Sequence, residues 1–358
     1  MSQIVITSTR KLPVRGLHAP ATLRYRCRLH STLSSSSSGG RGEGAPVSRR
    51  AMLYVPGSNP GMLEKSLSSP ADSIAYDLED AVAPAKKPEA RRLIADLLNG
   101  DRLPKGEVVA RINAVGSGFE EADLDAVLPT KYLSAIALPK TNSPEHIAYL
   151  ISRINALAPP HKRSNGSEPI KIIAMIESAQ AMVEIEGIAA SGKGHLDALL
   201  FAAEDYCADV GLIRTPTREE LLYPRSKLVT TAKAFSLQAI DLVCVNYKDK
   251  DALRAESEEG RRLGFDGKQA IHPDQVDIIH QSFAPSEKDI LKAARVKFSF
   301  EYHDKAGKGA YTLDGAMIDA PVYKQASVVV VVFSSAPASS IHTIPIPQQM
   351  PDVFRPLV

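Results

Sequence analysis

The 358 residues include only three cysteines, Cys27, Cys207 and Cys244, too few and too dispersed for a disulfide framework or a metal finger. They point to a reducing compartment. The nine histidines include no pair at i, i+3 or i+4, which argues against a histidine-built zinc site and leaves oxygen ligands for any metal. No apolar stretch approaches the roughly 18 to 20 residues that cross a bilayer, so no membrane partner is expected. Acid is missing from residues 1–42, which carry seven Lys or Arg. With a formal net charge of +2 over the chain, the remainder stands near −5. The basic balance belongs to the leader, and no nucleic-acid partner is expected.

That leader is rich in Arg and Ser and holds the run from Ser31 to Gly40, the composition of a mitochondrial transit peptide. Residues 1–45 are therefore expected to address the chain to the mitochondrial matrix and to take no part in the fold. From Arg50 a rhythm of apolar strand, polar stop and helix sets in. The expected strands are residues 52–55, 73–78, 108–112, 135–138, 171–176, 198–202, 239–245 and 267–271. The expected helices are 87–98, 143–157, 179–191, 219–236 (with Pro224 as an internal irregularity), 250–263 and 273–282. Alternation of this kind builds parallel βαβ units, and eight of them close into a (β/α)8 TIM barrel over residues 50–283. A doubly wound open sheet is the competitor, but no G-x-G-x-x-G follows the first strand.

In such a barrel the chemistry sits at the C-terminal ends of the strands. Those ends here read Tyr54-Val55-Pro56-Gly57, Asp77-Leu78-Glu79-Asp80, Arg111-Ile112-Asn113, Pro139-Lys140, Glu177-Ser178, Glu204-Asp205, Asn246 and Gln269-Ala270-Ile271-His272. Salt-bridge decoration has no reason to concentrate at one end of every strand. Glu177 and Asp205 each close an apolar run, a costly place for a carboxylate without a compensating cation. Two carboxylates plus water is the usual protein grip on Mg2+, and a 2-oxo acid supplies two further oxygens. Glu204 is the alternative to Asp205, because neighbours on a strand face opposite ways. Arg111 is either a carboxylate clamp or the ion-pair partner of Asp77, Glu79 or Asp80. The turn at Tyr54 to Gly57 offers backbone amides. Lys65, on the next helix, either reaches an anionic group such as a CoA phosphate or is solvated. Past His272 come a helix around 286–302, a lid-like segment to 326 in which 314–321 reads as a loop, and an atypical, structureless tail at 327–358.

The segments Leu53 to Gly57, Tyr76 to Val82, Val109 to Asn113, Ala137 to Lys140, Met175 to Ser178, Phe201 to Gly211, Arg225 to Val229 and Gly264 to Pro273 together resemble the citrate lyase β-subunit family of HpcH/HpaI-type aldolases. With the leader and the element Met317-Ile318-Asp319-Ala320-Pro321, the likeness is to the mitochondrial branch of that family. The resemblance implies a Mg2+-dependent carbon–carbon lyase cleaving a 3-hydroxyacyl-CoA, such as (3S)-citramalyl-CoA, to acetyl-CoA and pyruvate. It implies Glu177 and Asp205 as metal ligands, with Glu177 also facing substrate, and Arg111 as the carboxylate-binding arginine. Tyr54, Lys65, Gln269 and Ala270 become substrate or CoA contacts. Asp319 becomes the acid/base aspartate of a C-terminal lid that closes over a neighbouring subunit in a homotrimer. CoA thioesters and 2-oxo acids are the implied substrates. Alternatives on the same scaffold are malate or β-methylmalate synthesis, citryl- or malyl-CoA cleavage, thioester hydrolysis, or a non-catalytic CoA-ester-binding subunit of a lyase complex.

Overall fold

The computed structural model describes residues 47–192, 194–305 and 309–334. The expected transit peptide and residues 335–358 lie outside them. The described residues divide into two compact units, one ending at Phe283 and one beginning at Ala284.

The first unit is a closed barrel of eight parallel strands: β1 (Ala51–Pro56), β2 (Ser73–Asp77), β3 (Glu107–Arg111), β4 (Ala135–Leu138), β5 (Lys171–Ile176), β6 (Leu196–Phe201), β7 (Gln238–Asp241) and β8 (Gly267–Ala270). They pair in chain order, and β8 closes on β1 through Met52 opposite Gln269. Each strand is covered on both faces, as a barrel between an inner core and an outer helical ring requires. Met52, Ala75, Val109, Ala137, Ile173, Met175, Ala198, Leu200 and Ile240 form the inner cluster. Their immediate neighbours Leu53, Ile74, Tyr76, Val108, Ala110, Ile136, Ile172, Ala174 and Leu199 belong to the outer one, with the helices. This period of two decides which residues at the strand ends point into the mouth.

The helices follow the expected order with local differences. The stretch expected at 219–236 opens with a 3-10 turn, Glu219–Leu221, and its α-helix runs Leu222–Ala234. Pro224 is therefore in the first turn, where its missing N–H has no intrahelical partner to lose. Short helices at Glu120–Val127 and Ala203–Val210 fell where loops or strand ends were expected.

In the second unit, helix Glu287–Lys305 is followed by β9 (Tyr311–Leu313), β10 (Ala316–Ile318) and helix Ala320–Ser334. Residues read as a loop are a hairpin, with Leu313 opposite Ala316. Its turn, Asp314-Gly315, has both φ angles positive, +50° and +79°, the conformation that an Asp-Gly pair favours in two-residue hairpins. The tail expected to be structureless from residue 327 is helical as far as Ser334. Valine costs a helix only a few tenths of a kcal/mol per residue, so its β-branching did not end the helix. Ala293, Val296, Ile318 and Ala326 make this unit's own small core.

The barrel floor is tied by one fully buried guanidinium. Arg49, just before β1, donates to Glu107 Oε1 and Oε2 (2.6 and 2.7 Å), Asp197 Oδ2 (2.6 Å) and Gln238 Oε1 (2.8 Å). Those partners start β3, β6 and β7, and Ser73 of β2 adds a bond to Glu107 at 2.7 Å. Arg49→Met strands the Glu107 carboxylate, 4% exposed, and is expected to lower unfolding free energy by about 3–5 kcal/mol. Urea denaturation measures this, and a loss below about 1 kcal/mol rules the tie out.

Candidate active site

The inward parity set by Met52, Ala75, Val109, Ile173 and Leu200 carries on past the core. It brings Tyr54, Asp77, Arg111, Glu177 and Gln269 to the C-terminal mouth. Asp77 and Arg111 are direct register partners on β2 and β3. Arg111 donates from Nε and Nη2 to Asp77 (2.7 and 2.6 Å). Its Nη1 lies 3.1 Å from Glu79 Oε2 and 3.7 Å from Asp80 Oδ2. The planar fork is thus met by Asp77, a fully buried carboxylate, and only Nη1 faces the other rim acids. Of the two readings of Arg111 left open by the sequence, the structure shows the ion pair.

The guanidinium also stacks on Tyr54, 4.8 Å from the ring centroid. Burial pushes the Tyr54 phenol well above its ordinary range, with the Arg111 charge acting against it, so it remains a donor. It donates to Gln269 Oε1 at 3.0 Å, while Gln269 Nε2 donates to the carbonyls of Phe201 and Asp241. Two expected substrate contacts are therefore one hydrogen-bonded pair. The Gly57 amide is spent on Asp77 O at 2.9 Å, and a Cβ there would meet that oxygen at 2.7 Å. The glycine serves close strand approach rather than a ligand.

Glu177 follows β5 directly, and Ser178 then caps the helix Ala179–Ser191 by accepting from Ala181 N. Glu177 is 3% exposed. Its Oε1 has no hydrogen-bond partner, and its Oε2 is 4.0 Å from Lys140 Nζ. Asp205 Oδ1 is 4.0 Å from the same nitrogen. The two carboxylates therefore both face the Lys140 ammonium at the barrel mouth. Asp205 is the third residue of helix Ala203–Val210, beyond the strand to which the sequence reading assigned it. Glu204 is separated from it by helical geometry and pairs with Arg214, so the choice between them falls on Asp205 for a different reason than strand alternation.

Burial, then the charges of Glu79 and Asp205, push the Glu177 carboxyl up to about 8. Glu79 is also raised, chiefly by burial. Among the described residues no group of three or more His, Cys, Asp or Glu is arranged as metal ligands. The donor set is instead two carboxylates, one with a buried oxygen lacking a partner. That fits a hard cation that keeps water and substrate oxygens in most of its shell.

The other expected contacts scatter. Lys65 is exposed on the last turn of helix Pro60–Ser66. Ala270 is fully buried with its methyl in the outer cluster, so only its backbone is available at the rim. Asp319 belongs to the second unit, where its Oδ1 accepts from Val322 N at 3.1 Å and caps helix Ala320–Ser334.

The sequence reading gave Glu79 a role only as a partner of Arg111, and gave Lys140 and Lys87 none. Glu79 bonds Lys140 at 2.9 Å. Lys140 ends β4 with a left-handed φ of +47°. Lys87, 4% exposed, donates to Leu78 O, Glu79 O and Asn113 Oδ1 and pins the loop that carries Glu79. A lysine at a strand end is visible in sequence, but its convergence with acids from three other strands is not.

The raised Glu177 carboxyl has a measurable consequence. The unfolded chain releases this proton near 4.5, the fold near 8, so over that interval the folded state binds more protons. The group's contribution to metal-free stability is full below about 4.5 and is lost as pH rises through about 8. A cation on the carboxylate reverses that loss. Stabilisation by saturating Mg2+, read as a melting-temperature shift, is expected to be larger at pH 8 than at pH 5, and to vanish in Glu177→Gln. Equal shifts at both pH values contradict the assignment.

Comparison with known proteins bears on the whole chain. The HpcH/HpaI aldolase/citrate lyase family profile matches residues 50–273. The mitochondrial citramalyl-CoA lyase of Rattus norvegicus is 37% identical over 297 residues, 81% of this chain and 87% of the relative. The citrate lyase subunit beta of Haemophilus influenzae is 36% identical over 281 residues, covering 78% and 95%. A crystal structure of the CitE protein of Mycobacterium tuberculosis, in complex with magnesium, acetoacetate and coenzyme A, matches with a TM-score of 0.65 at 28% identity, over 80% of this chain and 98% of that one. The profile runs from the first barrel strand to beyond the last, and the relatives extend past it. On that evidence the chain belongs to the HpcH/HpaI aldolase/citrate lyase family.

Proposed function

We propose that this protein is a magnesium-dependent carbon–carbon lyase that cleaves a 3-hydroxyacyl-CoA thioester, (3S)-citramalyl-CoA to acetyl-CoA and pyruvate being the reaction most strongly supported. The observation that carries the reading is the unpartnered buried oxygen on Glu177, with Glu177 and Asp205 both 4.0 Å from one ammonium at the barrel mouth. The rat relative's name states the activity, and the M. tuberculosis structure holds magnesium together with coenzyme A.

Held by Glu177 and Asp205, Mg2+ supplies Lewis-acid stabilisation of negative charge on the keto-acid oxygens. The residues of the chain do the rest. Arg111, fixed in place by Asp77 and by the Tyr54 ring, keeps a positive charge at the rim through the reaction. The Tyr54–Gln269 pair walls the site beside it. Asp319 is the proton-transfer group for the acetyl-CoA α-carbon, a role that requires hydrogen-bond reach to that carbon's proton. Lys65 meets a CoA phosphate, and the Gln269-Ala270 strand end contacts the thioester arm through backbone atoms. A homotrimer in the mitochondrial matrix, with residues 1–45 removed as a transit peptide, completes the reading. The mitochondrial relatives support that location.

The citrate lyase relative makes citryl-CoA the specific competitor, since both substrates end in a carboxylated carbinol. The test is a coupled assay of leader-free protein against citramalyl-, citryl- and malyl-CoA, with and without Mg2+. Cleavage of citramalyl-CoA at the highest kcat/KM, abolished by chelation, is expected. Activity that survives chelation defeats the reading. Asp319→Ala is expected to lower kcat by about 10²- to 10⁴-fold while leaving Mg2+ affinity unchanged, and unaltered turnover removes Asp319 from the mechanism.

A further inference from the structure

Resting on the magnesium reading above, we propose that Asp209 is a positioning residue for the two metal ligands. Its carboxylate ties the helix that carries Asp205 to the backbone immediately after Glu177, and so sets their spacing. The last register pair joining the two segments is Ile176 opposite Phe201, at the ends of β5 and β6. Ala202 N adds a bond back to Ile176 O at 3.2 Å. Beyond it the chains part, one entering helix Ala179–Ser191 and the other helix Ala203–Val210, and both ligands lie past the parting. Asp209 rejoins them, its Oδ2 accepting from Ala179 N at 2.7 Å. Asp205 and Asp209 are one helical turn apart, hence on one face and about 6 Å apart along the axis. Ala179 stands close behind Glu177 in the chain. One hydrogen bond thus closes a short ring through both ligands.

Asp209 suits its own helix poorly. It stands in the last turn, where the helix dipole disfavours a carboxylate, and Gly211, with a left-handed φ of +70°, caps the helix just beyond. The same carboxylate is well placed for the neighbouring helix, whose first amides lack intrahelical acceptors and whose dipole favours an anion. That helix already has a local cap, since Ser178 accepts from Ala181 N at 3.0 Å. Ser178 also donates to Asn142 Oδ1 at 2.6 Å, which holds the backbone after Glu177 from the β4 side. Ala179 is exposed, so water would serve its amide. Capping alone therefore does not call for Asp209. What the aspartate adds is a charge-assisted tie between segments 30 residues apart in the chain. A cation held by one acid from each segment depends on that tie, as metal affinity depends on the groups that orient its ligands.

The test separates positioning from capping and from charge. Mg2+ is titrated calorimetrically into full-length wild-type, Asp209→Ala, Asp209→Ser, Asp209→Asn and Asp249→Ala proteins, and melting temperatures are recorded without metal. Asp249 caps helix Lys250–Leu263 by accepting from Ala252 N at 2.9 Å, so its variant controls for a cap lost elsewhere on the barrel. Asp209→Ala and Asp209→Ser, whose side chains are too short for the tie, are each expected to weaken Mg2+ binding about tenfold. Asp209→Asn keeps an acceptor oxygen for Ala179 N and recovers most of the loss. Asp249→Ala melts earlier, as a lost cap requires, with Mg2+ affinity unchanged. Undiminished Mg2+ affinity in Asp209→Ala or Asp209→Ser overturns the assignment. Equal weakening in Asp209→Asn overturns it too, by making the lost charge responsible, as does equal weakening in Asp249→Ala, by making the effect one of general stability. If the wild-type protein itself binds no Mg2+, the magnesium reading fails and this assignment falls with it.

Discussion

A carboxylate sealed from water with one oxygen unpaired is the constraint on which this molecule turns. Glu177 is held at the end of a strand covered on both faces, and the fold supplies it no hydrogen bond at Oε1. An ionised group in that position is unfavourable by several kcal/mol unless a proton or a cation answers it. The metal-free protein answers with a proton, which is what the raised carboxyl expresses. A divalent ion shared with Asp205 is the other answer, and one that leaves the group ionised near neutral pH. The barrel is the device that makes the conflict permanent. Its inward parity aims the side chain at the mouth, and the helix beginning at Ser178 fixes the backbone behind it.

The remaining rim acids divide the labour. Asp77 is fully buried and bidentate to Arg111, so it orients a cation rather than binding a ligand. Glu79 stands between Arg111 and Lys140 and holds the two positive charges on either side of itself. Its own loop is pinned from below by the Lys87 ammonium, which donates to the carbonyls of Leu78 and Glu79. Glu177 and Asp205 each stay 4.0 Å from the Lys140 ammonium, with no short bond to a protein cation. The difference between a structural and a functional carboxylate is thus a matter of what each is already bonded to. The floor of the barrel, where Arg49 bonds both oxygens of Glu107 and one of Asp197, shows the structural kind.

Much of this was legible from residues alone, and for a physical reason. Strands buried on both faces read as short apolar runs, so all eight were visible, and the polar residues that end them pointed to the mouth. Tyr54, Arg111, Glu177 and Gln269 follow from strand parity, which needs no tertiary information. Asp205 does not, because it sits a turn inside a short helix whose apolar pattern is too brief to recognise. The Tyr54–Gln269 bond and the Asp77–Arg111 fork join strands 215 and 34 residues apart in the chain, and nothing local announces such pairings. Lys140 was hidden by its backbone, since a left-handed φ at a lysine has no sequence signature. The Asp314-Gly315 hairpin was the opposite case: its signal was present in a standard form and was read as a loop because the flanking strands are three residues each. Asp319 caps a helix in the second unit, a role any aspartate there could fill, and its assignment to the chemistry rests on family resemblance rather than on surroundings.

The account stands on one cation shared by two acids from neighbouring strand ends. Diffraction from crystals of the protein grown with Mn2+, recorded at the manganese edge, locates that cation without reference to activity. A single anomalous peak about 2 Å from one oxygen of Glu177 and one of Asp205, lost in Glu177→Gln crystals, is the predicted result. A peak elsewhere in the barrel, or side chains of Glu177 and Asp205 turned away from each other with no ion between them, contradicts it.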